Sequence, residues 1–332
     1  MNKPLRTFIS GGAGYIGSHC VKALGQAGHD ILVYDNLSTG HEWALLYGRL
    51  VKGDLADANL LDATLKDFRP DAVIHFAASI QVEESTRKPL LYYRNNVINS
   101  VNLLEAMLKN NIHYIVYSST AAVYGTPDKV PVDETMPLNP INPYGATKAM
   151  VERILADTAK VTKLHYMVLR YFNVAGADID GELGQAYQDT THLITRAIKT
   201  ALGQSQQMVV YGTDYPTKDG TCIRDYVHVN DLAEAHVLAL DYMLKNNQSD
   251  LLNCGYGHGF SVKEVIQKVK SVSGIDFKVV ETGRRPADSP EIIAANEKIK
   301  KVIHWEPKHD DLDVIIKTAW EWEKKLQKSG KK

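Results

Sequence analysis

Cysteine is scarce in this 332-residue chain: Cys20, Cys222 and Cys254 are few, odd in number and widely spaced. That pattern supports neither a disulfide framework nor a zinc site. Twelve histidines are scattered without a metal-binding spacing such as H-E-x-x-H. No apolar run approaches the ~18 residues of a membrane span. A secretory leader is not expected either, because the first strand pattern begins almost at Met1. Charge of one sign is also missing. The formal net charge of −1 gives no electrostatic reason to expect nucleic acid or an anionic membrane. Lys324, Lys325, Lys328, Lys331 and Lys332 crowd the C-terminus and read as a solvated helix end. Repeats and low-complexity linkers are absent. The expectation is a cytoplasmic globular protein in a reducing compartment. An apolar content of 44% is ample for the core of one large or two modest domains.

What is present begins at Ser10-Gly11-Gly12-Ala13-Gly14-Tyr15-Ile16-Gly17. A short β-favouring run, Arg6 to Ile9, precedes it, and Ile16, Cys20, Leu24 and Ala27 follow at near-helical spacing. Gly11, Gly14 and Gly17 stand three apart where a strand hands over to a helix. Bare Cα atoms there permit a tight turn, close approach of a pyrophosphate, and packing of helix on strand. The first-turn N–H groups of that helix then meet phosphate charge. A second strand ends at Asp35, 18 residues beyond Gly17. An acid at that place accepts from a ribose 2′-OH and repels a 2′-phosphate, which argues for NAD over NADP.

The first half alternates strand and helix patterns with short joins, the mark of a parallel sheet covered on both faces. The spacing predicts strands at 6–10, 30–34, 49–52, 72–76, 113–118 and 166–171, and helices over 15–27, 57–68, 90–110 and 143–162. Five prolines between Pro127 and Pro143 forbid regular structure there. Later segments read as helices near 191–202 and 231–245, from Ser261, and from about 311. Short strands are expected near 208–211, 226–229 and 250–254. The fold class is α/β, a doubly wound parallel sheet (Rossmann) with a smaller mixed α/β substrate domain. Its expected boundaries are 1–172 for the dinucleotide domain and 173–332 for the second, which returns segments to the first.

Tyr144-Gly145-Ala146-Thr147-Lys148 places a phenol and an ammonium four apart on one helical face. A phenol ordinarily loses its proton near pH ~10. A neighbouring ammonium, with an oxidised nicotinamide close by, is expected to favour the phenolate. The pair alone is also compatible with a solvated helix. Context adds weight: Tyr144 comes 24 residues after Ser118-Ser119-Thr120, which closes a predicted strand. Ligands of doubly wound sheets bind beyond such strand ends. A hydroxyl at Thr120 can then share a substrate proton with Tyr144.

Thr120, Tyr144, Lys148 and the early glycines resemble the extended short-chain dehydrogenase/reductases. The segments Tyr171-Phe172-Asn173-Val174-Ala175-Gly176-Ala177, Tyr211-Gly212-Thr213-Asp214-Tyr215-Pro216-Thr217, Arg224-Asp225-Tyr226-Val227-His228-Val229 and Asn253-Cys254-Gly255-Tyr256-Gly257 are similar to the UDP-glucose 4-epimerase group within them. The resemblance runs from about Thr7 to Trp322. It implies NAD held by Gly11, Gly14, Tyr15, Ile16, Gly17, Asp35, Asn36, Asp54, Leu55, Phe76, Ala77, Asn95, Ser118 and Tyr171, with Tyr144 and Lys148 completing the site. Asp54 is equally readable as a helix N-cap. For a UDP-sugar it implies Thr120, Tyr144, Phe172, Asn173, His192, Leu193, Arg224, Arg285 and Asp288. Guanidinium forks suit a diphosphate. The catalytic set implied is Tyr144, Lys148 and Thr120, and the reaction a C4 epimerisation of a UDP-hexose through a 4-keto sugar. A homodimer is implied through the helices 90–110 and 143–162, by Leu90, Leu91, Val97, Val101, Leu104, Leu108, Met150, Val151 and Ile154. Packing on the sheet explains the same apolar positions.

Against the family pattern, Ile80 stands where several epimerases carry a lysine, and His192 where asparagine is common. Thr120 replaces a serine and keeps the hydroxyl. Ile292 replaces a tyrosine found in some relatives, which opens room for a 2-N-acetyl group or simply packs the core. Dehydratases and decarboxylases of this type bring acids after the catalytic Thr or Ser. Here the segment is Ala121-Ala122-Val123-Tyr124, without a carboxylate. Epimerases of UDP-pentoses or UDP-uronates, and a non-catalytic NAD sensor, remain as alternatives.

Overall fold

Apolar runs covered on both faces make parallel strands, and the first half of the chain supplies six of them. The computed structural model describes residues 4–187, 190–285 and 288–330. In it β1 (Arg6–Ser10), β2 (Asp30–Asp35), β3 (Arg49–Lys52), β4 (Ala72–His75), β5 (Tyr114–Thr120) and β6 (His165–Tyr171) lie in one sheet. A seventh strand, Asp250–Cys254, pairs parallel with β6. From that edge the order continues β6-β5-β4-β1-β2-β3, all parallel. The order reverses between β1 and β4, where a doubly wound sheet opens its ligand crevice. This is the architecture that the strand–helix alternation predicts.

Successive strand residues face opposite layers. Ile9, Val33, Ile74, Val116 and Leu169 pack on one side with Cys20 and Leu24 of α1 (Tyr15–Gln26) and with Leu232, Ala239 and Leu240 of the helix Val229–Asn246. Their neighbours Phe8, Leu32, Val73, Ile115 and Val168 face α2 (Ala58–Phe68) and the helices Asn99–Lys109 and Pro143–Val161. Because Asp250–Cys254 and Val229–Asn246 belong to the second half, the later sequence completes the first sheet.

The helix predicted over 90–110 is present as one run from Pro89 to Lys109, but it is not α throughout. A short helix, Pro89–Tyr92, passes through a π turn, Tyr93–Ile98, before Asn99–Lys109 resumes the α form. The widened turn carries Asn95 and Asn96, whose amides both reach Ser79 after β4. The proline-rich stretch holds no helix and only an isolated bridge, Val132 to Ala294. In the second half the strands Asn173–Ala175, Phe260–Ser261, Val279–Thr282 and Glu291–Ile292 and the helix Glu297–Ile303 were not predicted. Strands this short exist through pairing with distant segments and leave no periodic pattern. Among the described residues no helix is long and apolar enough to cross a membrane. Lys331 and Lys332 lie outside the described residues.

Candidate active site

The glycine loop after β1 divides into two kinds of glycine. Gly11 has a φ of +75°, and a Cβ there would lie 2.5 Å from the Ala77 nitrogen; one on Gly17 would lie 2.3 Å from the Gly11 oxygen. Both are fixed by backbone against backbone. Gly14 is different: the nearest protein atom to its Cβ position is the Gly11 oxygen at 3.3 Å, and its bare side lines a cleft. Gly14 is also the N-cap of α1, with no capping side chain and no acid in the first turn. The positive end of that helix is uncompensated by the protein and faces a space that a side chain would narrow. Residues of this kind fit a dinucleotide pyrophosphate.

The same cleft is lined by Tyr15, Ile16, Asp35, Asn36, Asp54 and Leu55 from one side and Phe76, Ala77, Asn95 and Tyr171 from the other. Asp35 accepts the N–H groups of Ala13 (2.9 Å) and Leu37 (2.8 Å), and burial pushes its carboxyl above the usual range in spite of them. Two bonds leave lone pairs on that carboxylate for a ribose hydroxyl. Asn36 donates to Asp54 at 2.8 Å. The N-cap of α2 is Asp57, which accepts from the Leu60 nitrogen, so the capping alternative for Asp54 does not hold. Ile80, at the lysine position of several epimerases, is in the cleft wall.

Tyr144 enters on the helix Pro143–Val161, begun by Pro143 and capped by Asn142, whose side chain accepts from the Gly145 nitrogen. The Thr120 hydroxyl at the end of β5, which accepts from the Ala122 nitrogen at 3.1 Å, is near enough to the phenol to favour its ionised form. Lys148, one turn on, is 2% exposed; its ammonium donates to the Ser118 carbonyl at 2.7 Å and lies 4.9 Å from the centre of the Tyr117 ring. Thr120, Tyr144, Lys148 and Ser118 are therefore one constellation. They are not in the cleft wall among the described residues; Tyr171, which is, joins them through the Ser118 hydroxyl. The expected lowering of the phenol by Lys148 is not found. Burial pushes Tyr144 up to about 12, opposed only by the Thr120 hydroxyl. Burial likewise pushes Lys148 down to about 7, opposed by the carboxylate of Glu152. Desolvation outweighs the pairing that spacing alone suggested.

The residues assigned to the nucleotide sugar lie in two groups. His192 is in the cleft wall and bonds Gln185 at 3.1 Å and Thr190 at 3.2 Å. With Leu193 and Asn173 it also lines a smaller adjoining recess. Arg224 and Arg285 converge on Asp288 at 3.5 and 3.0 Å, and Arg285 also covers the Tyr211 ring. One carboxylate between two guanidiniums leaves the group positive. The strand Ile223–Arg224 pairs with Glu291–Ile292, and Ile292 is buried with Phe172, Ala121 and Tyr124. That packing ties the arginines to the tip of β5.

A family model described as the NAD dependent epimerase/dehydratase family matches residues 7–255. The chain belongs to the NAD dependent epimerase/dehydratase family. It is 50% identical to the UDP-glucose 4-epimerase of Azospirillum brasilense, over 98% of this chain and 93% of that one. The UDP-glucose 4-epimerase of Brucella ovis, solved in complex with NAD, superposes with a TM-score of 0.92 at 45% identity, covering 95% of this chain and 97% of that one. The UDP-Glc/GlcNAc 4-epimerase of Campylobacter jejuni superposes at 0.85 with 47% identity, over 97% and 99% of the two chains.

In this epimerase/dehydratase-family chain, some groups around the cleft had no assignment from sequence. Tyr187, Thr190 and Thr191 line it from the segment before the helix Leu193–Ala201; no motif marks them. Asn96 is 2% exposed, accepts from the Ser79 nitrogen, and donates to the Ser79 carbonyl and the Thr147 hydroxyl. It joins the loop after β4 to the Tyr144 helix, and the Asn95-Asn96 doublet was the available signal. Lys22 on α1 is held by Asp178, Asp180 and Glu182 at 2.7–2.8 Å, which fastens the glycine-loop helix to the segment leading to Tyr187.

Proposed function

We propose that this chain interconverts UDP-glucose and UDP-galactose by epimerising C4, with NAD carried through every turnover. The observation that supports this most strongly is Tyr144 buried one turn before Lys148, whose ammonium is held by the Ser118 carbonyl on the strand that ends at Thr120, with no carboxylate in the segment after Thr120. Bound NAD would supply the acceptor and donor of the C4 hydride. Gly14 and the first turn of α1 would hold its pyrophosphate, Asp35 its ribose, and Asn36 with Asp54 its adenine side. Tyr144 accepts the C4 hydroxyl proton with Thr120 relaying, and Lys148 steadies the cofactor ribose. The protein's own groups leave the phenol near 12, and a positive nicotinamide beside it would add the charge that favours phenolate. Arg224, Arg285 and their neighbours anchor the diphosphate while the keto sugar turns. Binding energy spent on the remote nucleotide retains the intermediate without favouring either sugar face.

The division at residue 172, a cytoplasmic location and a homodimer belong to the same reading. Leu90 and Met150, exposed at 71% and 44%, support a contact along these helices, whereas Leu104 and Val151 are buried against the sheet. Acceptance of N-acetylated sugars is favoured by Ile292 in place of tyrosine and by likeness to the Campylobacter jejuni enzyme. The test is conversion of UDP-galactose, and separately UDP-GalNAc, by purified protein without added NAD. Formation of both C4 epimers is expected. No conversion of either, with NAD then supplied, refutes the hexose reading; no UDP-GlcNAc at high enzyme concentration refutes the broader one.

A further inference from the structure

One turn beyond Lys148, on the stripe that carries Tyr144, lies Glu152. Its side chain is 5% exposed and its partner Arg170 on β6 is 4% exposed. Arg170 Nε donates to both carboxylate oxygens at 3.0 and 3.2 Å, with Nη2 adding a third bond. The Ser119 hydroxyl donates to the same carboxylate. Ser119 sits on β5 next to Ser118, whose carbonyl holds Lys148. The helix is thus seated on β5 by Lys148 and Glu152, one turn apart, meeting two successive strand residues. From the other face of Arg170, Nη1 donates to Tyr124 at 2.8 Å, Tyr124 to Asn253 at 2.7 Å, and Asn253 to the Val132 carbonyl at 2.8 Å. The network reaches the cluster that contains Phe172 and Ile292.

A buried ion pair is a poor source of stability, since apolar replacements of similar volume are often neutral or stabilising. Its placement here calls for another account. Around Lys148 stand Tyr144 and Glu152 on its own helix, Tyr117 on β5, His75 on β4, and Arg170 and Tyr171 on β6. Burial keeps His75 neutral by pushing it down to about 3, and holds Tyr117 and Tyr171 protonated. Of these groups only the Glu152 carboxylate raises Lys148. We propose that Glu152 is a positioning residue: pinned by Arg170 and Ser119, it fixes a buried carboxylate one turn from Lys148 and seats the helix that carries Tyr144 and Lys148 on β5. This rests on the roles given above to Tyr144 and Lys148.

The test compares wild type with Glu152→Gln/Arg170→Met, which removes both charges and avoids stranding one, and with Ser119→Ala, which spares the ion pair. Three quantities are read: melting temperature with bound NAD, kcat and KM against pH, and the titration of Lys148 by 13Cε-lysine NMR, assigned through Lys148→Met. The double variant is expected to fold and retain NAD. Its Lys148 loses the proton at a lower pH than in wild type, because the carboxylate that raises it is gone, and the alkaline limb of kcat moves the same way, while KM stays within about threefold. Ser119→Ala is expected to lower kcat roughly tenfold with no shift of the limb, the cost of one charge-assisted hydrogen bond. Coincident Lys148 titrations in wild type and double variant overturn the proposal, as does a uniform fall in kcat with unmoved limbs. Should the wild type epimerise nothing, the functional reading fails, and the NMR titration still decides what Glu152 does to Lys148.

Discussion

The proposed cofactor end and the proposed sugar end of this site are built differently. At the cofactor end, groups come from the tips of neighbouring parallel strands and already have protein partners: Asp35 holds two N–H groups, and Lys148 is tied to the Ser118 carbonyl. At the sugar end, Arg224 and Arg285 come from residues 61 apart in sequence, share a single acid, and Arg285 is 47% exposed. The contrast matches an enzyme that keeps its cofactor and lets its intermediate turn. A rigid, pre-satisfied cradle suits retention, whereas long guanidinium arms grip a diphosphate without gripping the hexose.

The sharpest way to separate the two ends is Tyr144→Phe. It is expected to reduce kcat by roughly 10²–10⁴-fold, the range of a lost general base, with bound NAD unchanged by absorbance and mass; near-normal turnover would remove Tyr144 from its role. Next come the glycines. Gly17→Ala forces a Cβ to 2.3 Å from the Gly11 oxygen, so thermal unfolding should show a loss of about 1–3 kcal/mol together with lost NAD. Gly14→Ala brings a Cβ only to 3.3 Å from the Gly11 oxygen and should shed NAD while leaving the melting temperature of the NAD-stripped protein within a few degrees of NAD-stripped wild type. Arg285→Ala acts on the other end alone: KM for the UDP-sugar should rise roughly tenfold, as for one lost charge-assisted contact, with NAD content unaffected.

A separate effect concerns pH. Lys148 is pushed from 10.5 in the unfolded chain to about 7 in the cofactor-free fold. Below pH 7 both states carry its charge and the fold bears the whole desolvation cost. Between 7 and 10.5 the unfolded state binds the extra proton, so stability rises with pH. Lys148→Met should therefore stabilise the cofactor-free protein most below pH 7, by an amount that shrinks toward pH 10.5. Denaturant melts at pH 6, 8 and 10 check the trend, and a pH-independent difference would contradict it.

How much of this was readable beforehand follows the same contrast. β1 through β6, the glycine turn and Asp35 lie in local runs whose periodicity and turn chemistry are written in adjacent residues. The Tyr144–Lys148 spacing was equally local. The convergence of Arg224, Arg285 and Asp288 depends on two-residue strands paired across the second half, and only the family resemblance pointed to it. Without the cofactor Tyr144 is shifted upward, because spacing reveals the Lys148 neighbour but not the depth of burial. The π turn at Tyr93–Ile98 escaped for a similar reason: its cause is Asn96 reaching Ser79 and Thr147, contacts made in three dimensions.

The most direct test of the account is to follow UDP-galactose deuterated at C4 through turnover by the protein as purified, with excess unlabelled NAD in solution. If a resident cofactor oxidises and re-reduces one carbon of a sugar held by its nucleotide, the UDP-glucose formed keeps its deuterium at C4, and none appears in water or in the free NAD pool. Loss of the label to solvent or to that pool would contradict a closed cycle in this site.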